Sequence, residues 1–196
     1  MKTRTRRGPR GASGGNNRLR IIGGRWRGRR VSFPDVEGLR PSPDRVRETL
    51  FNWLMPVIEG ARCLDLFSGS GAFGLEALSR GAARVVLVDR DGAAIANLRE
   101  QLGTLQAEGA ALHQADALTF LAGTPEPFDV VFLDPPYHKG LLAPCLARLG
   151  EGWLAPGARV YIEAEAEMTE LPMPEGWVLL RSKQAGQVGY HLALAP

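Results

Sequence analysis

The residues with the clearest chemical potential are Asp134, Pro135, Pro136 and Tyr137, which directly follow the apolar run 128–133. Such a run is typical of a buried strand, which places this tetrad at the strand's exposed end. The prolines remove two backbone N–H donors, so the segment offers carbonyl and carboxylate oxygens beside an aromatic ring. These acceptors favour a planar amine as the bound group and make the tetrad the candidate catalytic segment. A polar turn that only closes the strand is the alternative.

A glycine-rich segment, residues 67–74, follows another predicted strand. Its glycines satisfy the pattern GxGxxG, which lets backbone approach a nucleotide-like ligand when a strand precedes it and a helix follows. Both conditions are met, so we interpret the segment as a cofactor loop rather than as a turn with glycine for geometry alone. The residues predicted to contact the cofactor are Phe67, Ser68, Gly69, Ser70 and Gly71.

Two acidic residues bear on which cofactor this loop binds. Asp65 lies four residues before the first glycine, where a carboxylate can face the cationic amino end of methionine. Strands that bind NAD usually stay apolar up to the loop, so Asp65 favours S-adenosylmethionine (SAM). Asp89, followed by Arg90, ends the next predicted strand, where an acid accepts ribose hydroxyls in either class of enzyme. We therefore predict SAM as the cofactor and Asp65, Asp89 and Arg90 among its contacts.

A third acid follows the predicted strand 110–115. Asp116 can accept a hydrogen bond from an adenine amino group, and the N–H of Ala117 can reach the ring, although Asp116 also suits the N-cap of a helix.

Doubly wound sheets bind ligands at the carboxyl edge, where the sulfonium and ammonium groups of SAM would offset the repulsion between carboxylates. Four predicted strands end at this edge in an acid: Asp65, Asp89, Asp116 and Asp134.

Strand and helix patterns alternate from Arg62 onward, which predicts an α/β fold with a doubly wound, mainly parallel, seven-stranded, Rossmann-like sheet. The predicted strands lie near 62–67, 84–89, 110–115, 128–133, 158–163, 177–181 and 188–194, the last two as a hairpin. The predicted helices lie near 72–80, 92–102, 117–122 and 141–149, with Gly81 and Gly103 as C-terminal stops.

The N-terminal part has a different character. Residues 1–30 hold eleven basic side chains and no acidic one, whereas the rest of the chain carries a net charge of −8. Such an arm indicates a polyanionic partner. We expect a disordered basic tail at 1–17, and a basic hairpin and docking helix at 18–58. The hairpin has strands near 19–22 and 30–33, and the helix, capped by Ser42, runs to about residue 58.

Composition excludes several classes of protein. The apolar runs are strand-sized, and the basic N-terminus lacks the apolar region of a signal peptide, so we expect a cytoplasmic protein with no membrane span. Cys63 and Cys145 lie far apart, which argues against a disulfide framework or a zinc site. The three histidines show no ligand spacing, and we predict no metal.

Together these residues resemble class I SAM-dependent methyltransferases, and most closely the RsmD-type family of bacterial 16S rRNA guanine-N2 methyltransferases. The similarity covers about residues 18–194 and residues 59–196 correspond to the SAM-dependent domain. It rests on segments 20–29, 39–41, 44–52, 65–71 and 74–82, and on the tetrad. The resemblance implies methyl transfer to the N2 amine of a guanine, in naked 16S rRNA or in an assembled small ribosomal subunit.

In that chemistry Asp134 and the Pro135 carbonyl would hold the amine, and Tyr137 would stack on the extruded base. Phosphate contacts are assigned to the hairpin and to the start of the helix. Trp26 could instead pack within the hairpin, and Arg45 and Arg47 could pair with neighbouring acids. The predicted RNA-binding residues are Arg20, Arg25, Trp26, Arg27, Arg29, Arg30, Arg40, Arg45 and Arg47.

Three alternatives remain open from the sequence. One is an NAD-dependent oxidoreductase, which Asp65 and the tetrad disfavour. The second is a non-catalytic RNA-binding protein with the same fold. The third is methylation of another planar amine on the same scaffold, either adenine N6 in DNA or RNA or a protein glutamine. We expect a monomer in each case.

Overall fold

The computed structural model describes residues 17–34 and 41–196. The predicted tail, apart from Asn17, and the predicted RNA contact Arg40 lie outside these ranges. Within them, every helix is too short or too polar to serve as a membrane span.

Two short antiparallel strands, β1 (Arg18–Arg20) and β2 (Arg30–Ser32), form the predicted N-terminal hairpin. A turn of 3-10 helix at Gly24–Trp26 lies between them. Leu19 and Val31 face each other in the register and are both buried, whereas the arginines beside them are exposed. The hairpin therefore docks through one apolar face and presents its basic residues on the other.

The helix after the hairpin, α1, spans Asp44–Leu54. The prediction that Ser42 caps it is wrong. Pro43 occupies the N-cap position, and the Ser42 hydroxyl donates to Glu163 Oε1 at 2.6 Å. The helix also ends before residue 58, because Pro56 has no N–H to continue the hydrogen-bond ladder and its ring clashes with the preceding turn.

The main sheet has seven strands, as predicted. They are β3 (Arg62–Asp65), β4 (Arg84–Asp89), β5 (Ala110–Gln114), β6 (Phe128–Leu133), β7 (Leu154–Glu165), β8 (Val178–Ala185) and β9 (Val188–Leu194). Their order across the sheet is β5-β4-β3-β6-β7-β9-β8. Strands β3 to β7 pair in parallel, and β9 pairs antiparallel with β7 and β8.

The connecting helices are α2 (Gly74–Ser79), α3 (Gly92–Leu105), α4 (Ala117–Leu121) and α5 (Leu142–Leu149). Gly103 does not stop α3 as predicted. The helix continues to Leu105, and Gln106 closes it in a left-handed conformation, with its N–H donating to the Gly103 carbonyl. The long helix α3 follows Asp89 and packs on the sheet next to the cofactor loop.

The sheet separates two buried clusters of apolar side chains. Val130 and Phe132 belong to the cluster that also holds hairpin residues and α1, whereas Val131 and Leu133 belong to the cluster on the opposite face, beneath α4 and α5. This alternation is what a strand buried on both faces requires. Cys63 and Cys145 are buried thiols in opposite clusters, so they cannot form a disulfide.

Candidate active site and nucleic-acid interface

The four predicted acids lie at the carboxyl ends of four neighbouring strands. Asp65 and Asp89 are the last residues of β3 and β4, Asp134 directly follows β6, and Asp116 lies two residues beyond β5. Since these strands are adjacent and parallel, the acids line one edge of the sheet. This is the edge at which doubly wound sheets bind ligands.

Asp65 is buried at the start of the cofactor loop, where its Oδ2 accepts a hydrogen bond from the Gly74 N–H at 2.9 Å. Burial raises the pKa of the Asp65 carboxyl to about 7; the Gly74 N–H opposes this rise and the charge of Asp89 adds to it. Ionisation of the Asp65 carboxyl group is therefore disfavoured. A bound cation would favour the ionised form.

The cofactor loop is a tight turn packed against the sheet. The Ser68 N–H and hydroxyl both donate to the Val88 carbonyl, at 2.9 and 3.0 Å, and the Gly71 N–H donates to the Ser68 carbonyl at 2.6 Å. Gly71 has a φ of +78°, and a Cβ there would lie 2.5 Å from a Leu98 methyl group. Of the predicted contact residues, Phe67 is half-buried and Ser68, Gly69, Ser70 and Gly71 are buried.

The second and third acids hold neighbouring loops in place. Asp89 accepts hydrogen bonds from the Gly69 N–H at 2.7 Å and the Asp91 N–H at 2.8 Å, which ties the cofactor loop to the end of β4. Arg90, beside it, is exposed. Asp116 caps α4 by accepting from the Leu118 and Thr119 N–H groups, so the predicted capping role is confirmed. Ala117 is buried at the first position of α4.

The tetrad forms the turn that leaves β6. Pro135 is buried and Pro136 exposed, and the side chains of Asp134 and Tyr137 are each partly exposed. Burial, the neighbouring charge of Glu163 and that of Asp65 all raise the pKa of Asp134 well above its ordinary range. Burial and the carboxylates of the site likewise raise the pKa of the Tyr137 phenol, which stays protonated. Two acceptors and an aromatic ring thus lie together at this strand end.

A fifth carboxyl group of the site, Glu163, was missed from the sequence. Leu133 and Ile162 are partners in the register of β6 and β7, so the next residues on the two chain segments, Asp134 and Glu163, lie beside each other at the strand ends. Glu163 is buried and accepts hydrogen bonds from Ser42 Oγ at 2.6 Å and Tyr161 Oη at 2.7 Å. Burial raises its pKa, against the effect of these two bonds. The available signal was an acid at the end of the predicted strand 158–163.

The loop after the tetrad is held by a second acid of β7. His138 has a φ of +57°, and its backbone N–H donates to Glu165 Oε1 at 2.6 Å. Its imidazole Nδ1 lies 3.5 Å from the same oxygen, and the side chain is otherwise exposed. A non-glycine residue in this conformation is strained, so Glu165 stabilises the turn that carries Tyr137. Among the described residues, no group of three His, Cys, Asp or Glu side chains could hold a metal ion.

Two of the predicted RNA contacts, Trp26 and Arg47, have buried side chains, which does not suit contact with RNA. Trp26 is only 6% exposed and packs in the core cluster with α1, while its backbone N–H donates to Ser79 Oγ at 3.0 Å. Arg47 is 0% exposed. Its guanidinium donates to the Ser42 and Arg20 carbonyls and pairs with Asp44 and Glu76.

The remaining predicted contacts in the described chain are exposed. Arg20 forms an ion pair with Asp44 at 3.0 Å, and the guanidinium carbon of Arg25 lies 4.1 Å from the centre of the Trp26 ring system. The other predicted contacts with exposed side chains are Arg27, Arg29 and Arg30 of the hairpin and Arg45 of α1. The hairpin therefore offers cationic side chains to a polyanion, without an exposed aromatic ring.

Comparison with known proteins agrees with this arrangement. The family described as conserved hypothetical protein 95 matches residues 19–194. The chain is 51% identical over 179 residues to ribosomal RNA small subunit methyltransferase D of Escherichia coli, covering 91% of this chain and 90% of that protein. The solved structure of yhhF from Escherichia coli matches with a TM-score of 0.85 and 48% identity, over 91% of this chain and 98% of that one.

A more distant structure shows the same fold. It is the 16S rRNA N2 G1207 methyltransferase RsmC of Thermus thermophilus, in complex with AdoMet and guanosine. It superposes with a TM-score of 0.71 at 22% identity, over 91% of this chain and 50% of that one. The family match and the 51% identity, together with the acidic strand ends and the tetrad, establish that the chain belongs to the RsmD-type family of class I methyltransferases.

Proposed function

We propose that this protein transfers the methyl group of SAM to the exocyclic N2 amine of a guanine in bacterial 16S rRNA. The observation that carries the proposal is the position of the tetrad. Asp134 and the Pro135 carbonyl lie at the end of β6, directly beside β3, whose last residue begins the cofactor loop. An amine held at the tetrad is therefore adjacent to the edge where a cofactor binds.

The residues at this edge fit SAM. Asp65 is a buried carboxyl with a raised pKa, which an ammonium group would compensate, and the glycine turn after it is of the kind that lets backbone approach a nucleotide-like ligand. Asp89 retains acceptor capacity for ribose hydroxyls, because each carboxylate oxygen can accept a second hydrogen bond. When bound, SAM supplies a methyl group on a positively charged sulfur, which makes that methyl electrophilic.

The tetrad then acts on the amine. Its nitrogen lone pair is delocalised into the ring, and hydrogen bonds to Asp134 and to the Pro135 carbonyl favour a pyramidal nitrogen with a localised pair. As the new C–N bond forms and the C–S bond breaks, the amine must lose a proton, which the Asp134 carboxylate can accept. Tyr137 provides a ring on which the extruded base can stack. His138 is a further exposed side chain on this loop.

RNA binding is assigned to the exposed arginines of the hairpin and α1. Residues 18–58 would act as the RNA-binding part and residues 59–196 as the SAM-dependent part, in a cytoplasmic monomer. The substrate is naked 16S rRNA or an assembled small subunit. Family membership leaves the oxidoreductase alternative without support.

The test is methyl transfer from labelled SAM to 16S rRNA, small subunits or DNA isolated from cells that lack the modification. Nucleoside analysis should find label only in N2-methylguanosine, at one position of 16S rRNA. Asp134→Ala should lose this incorporation at least a hundredfold while it still binds SAM and RNA. Label confined to DNA or protein would refute the proposal, and an Asp134→Ala protein of unchanged rate would refute the role of the tetrad.

A further inference from the structure

We propose that Glu163 reads the base, by accepting a hydrogen bond from guanine N1–H while Asp134 and the Pro135 carbonyl hold the neighbouring N2 amine. This assignment rests on the proposed function and adds a specificity-determining residue to it. It makes the end of β7 the part of the site that selects guanine from the other bases that carry an amine.

The first support is the position of Glu163. Leu133 and Ile162 are partners in the parallel register, so the next residue on each strand, Asp134 and Glu163, meet at the same level. Phe132 and Tyr161, two residues before each acid, belong to the same core cluster. Side chains alternate along a strand, so Asp134 and Glu163 project from the same face of the sheet, from neighbouring backbones about 5 Å apart.

The second support is the orientation of the carboxylate. Within the described chain, the hydrogen bonds from Ser42 and Tyr161 both end on Oε1 of Glu163. No described residue donates a hydrogen bond to the other oxygen, Oε2. The side chain is 4% exposed, so the two hydroxyl groups fix its direction and leave one oxygen to accept from a ligand. Glu163 also borders the small recess lined by Pro135, Pro136 and Tyr137.

The third support is the chemistry of the bases. Guanine carries a donor, N1–H, next to its exocyclic amine. Adenine and cytosine carry an unprotonated ring nitrogen, an acceptor, next to theirs. A carboxylate beside the amine-binding oxygens attracts the guanine edge and repels the other two, because an unpaired acceptor facing an acceptor leaves both groups unsatisfied.

The fourth support is the charge of the pair. Two neighbouring carboxyl groups at a largely buried site repel each other unless donors compensate them. A glutamine at position 163 could make the same bonds to Ser42 and Tyr161 with its amide oxygen, so holding those hydroxyl groups does not require a carboxylate. The N1–H and N2 amine of guanine would add donors to both carboxyl groups at once.

The test compares two bases at the methylated position: guanine, and 2-aminopurine, which keeps the 2-amino group but has an unprotonated N1. The wild-type enzyme first identifies the position by its N2-methylguanosine product. Synthetic RNA with either base there is then ligated into 16S rRNA and assembled into small subunits. Single-turnover rates are measured for the wild type, for Glu163→Gln and for Glu151→Gln, an exposed control with the same chemical change.

The wild type and Glu151→Gln should methylate guanine roughly tenfold to a hundredfold faster than 2-aminopurine. In Glu163→Gln the two hydroxyl groups hold the amide oxygen, so the NH2 group faces the base and can donate to N1 of 2-aminopurine. The preference should therefore shrink by at least tenfold or reverse, with SAM affinity unchanged.

Equal loss of both rates in Glu163→Gln would overturn the assignment. So would equal rates of the wild type on the two bases, a result that does not depend on the variant folding. Absence of N2-methylguanosine from the wild-type reaction would instead refute the proposed function, which separates the two failures.

Discussion

Glu76 Oε1 accepts a hydrogen bond from the backbone N–H of Gly23 at 2.7 Å, although 53 positions separate the two residues. The other oxygen accepts from the Ile22 N–H at 2.8 Å. Glu76 lies on α2, directly after the cofactor loop, and Gly23 lies in the hairpin that carries the exposed arginines. One buried carboxylate thus fixes the hairpin, with its exposed arginines, relative to the cofactor loop.

Replacing this carboxylate should loosen the hairpin and destabilise the protein. Glu76→Gln removes the charge that faces the buried guanidinium of Arg47 at 3.6 Å, so we expect the free energy of unfolding to fall by about 3–5 kcal/mol. Urea denaturation measures this. Glu126→Gln is the control, because Glu126 pairs with Arg62 and Arg84 at a partly exposed site and should cost about 1 kcal/mol or less. Equal losses would contradict the special role of Glu76.

Two glycines of the hairpin provide a matched test of docking. Gly24 and Gly28 both have positive φ, +72° and +82°, so alanine at either costs about 1–2 kcal/mol of backbone strain. A Cβ at Gly24 would in addition lie 1.8 Å from the Ser79 carbonyl oxygen, whereas one at Gly28 meets open space. The rate of RNA methylation should therefore fall at least tenfold in Gly24→Ala, with unchanged SAM affinity. The rate of Gly28→Ala should remain near that of the wild type. Similar rates for the two variants would show that docking on α2 does not matter.

The raised pKa of Asp65 predicts a stability cost when no SAM is added. Its folded pKa of about 7 lies above the ordinary value of 3.8, so its contribution to stability is full below 3.8 and is lost as pH rises through 7. Asp65→Asn removes this loss and can still accept from the Gly74 N–H. Without SAM, the advantage of the variant should grow from about 1–2 kcal/mol at pH 5 to about 4 kcal/mol at pH 8.

The same substitution should weaken SAM binding at pH 8 by at least tenfold, since the ammonium group loses its carboxylate. For the wild type, affinity should fall as pH drops below 7, and this dependence should be absent in Asp65→Asn. Calorimetric titration at pH 6 and 8 checks both statements. A wild type that is more stable than the variant at pH 8 would contradict the assignment.

The electrostatic interaction between Asp134 and Glu163 should appear in the pH dependence of the rate. Burial raises the pKa of Asp134 and the charge of Glu163 raises it further, so single-turnover methylation should rise with pH as Asp134 ionises. In Glu163→Gln the neighbouring charge is gone, so the acidic limb of the pH–rate profile should move to lower pH, even though the maximal rate on guanine is smaller. An unmoved limb would mean that the two groups do not interact.

Much of this architecture could be predicted from local pattern. Asp65, Asp89 and Asp134 each follow an apolar strand, and strand direction alone places them at one edge of a parallel sheet. The hairpin was also predictable, because Leu19 and Val31 alternate with arginines. In each case the determining information lies within a few residues of the position concerned.

What could not be predicted depends on partners far away in the chain. Ser42 has the right residue type for a helix cap, yet its hydroxyl binds Glu163, 121 positions later, where two buried groups satisfy each other. The local sequence predicts that Arg47 is an exposed helical arginine, but contacts with Glu76 and the Arg20 carbonyl hold it in the core. Tertiary hydrogen bonding of buried polar groups overrides local preference, and no local spacing reveals it.

The division of the arginines into exposed and buried predicts two different kinds of variant. Arg27→Ala, Arg29→Ala and Arg30→Ala should each weaken RNA binding and reduce the slope of log affinity against log salt by about 1, if each side chain contacts one phosphate. Their unfolding free energies should stay within about 0.5 kcal/mol of wild type, because these side chains are exposed.

Arg47→Ala should behave in the opposite way. It removes the buried charge that faces Glu76 and the donor to two carbonyl oxygens, so about 3–5 kcal/mol of stability should be lost. At a temperature where the variant is still folded, its salt slope should equal that of the wild type, because Arg47 contacts no phosphate. Fluorescence anisotropy of labelled RNA at several salt concentrations, with urea denaturation of the same samples, measures both quantities. A reduced salt slope in Arg47→Ala would mean that this guanidinium leaves the core when RNA binds.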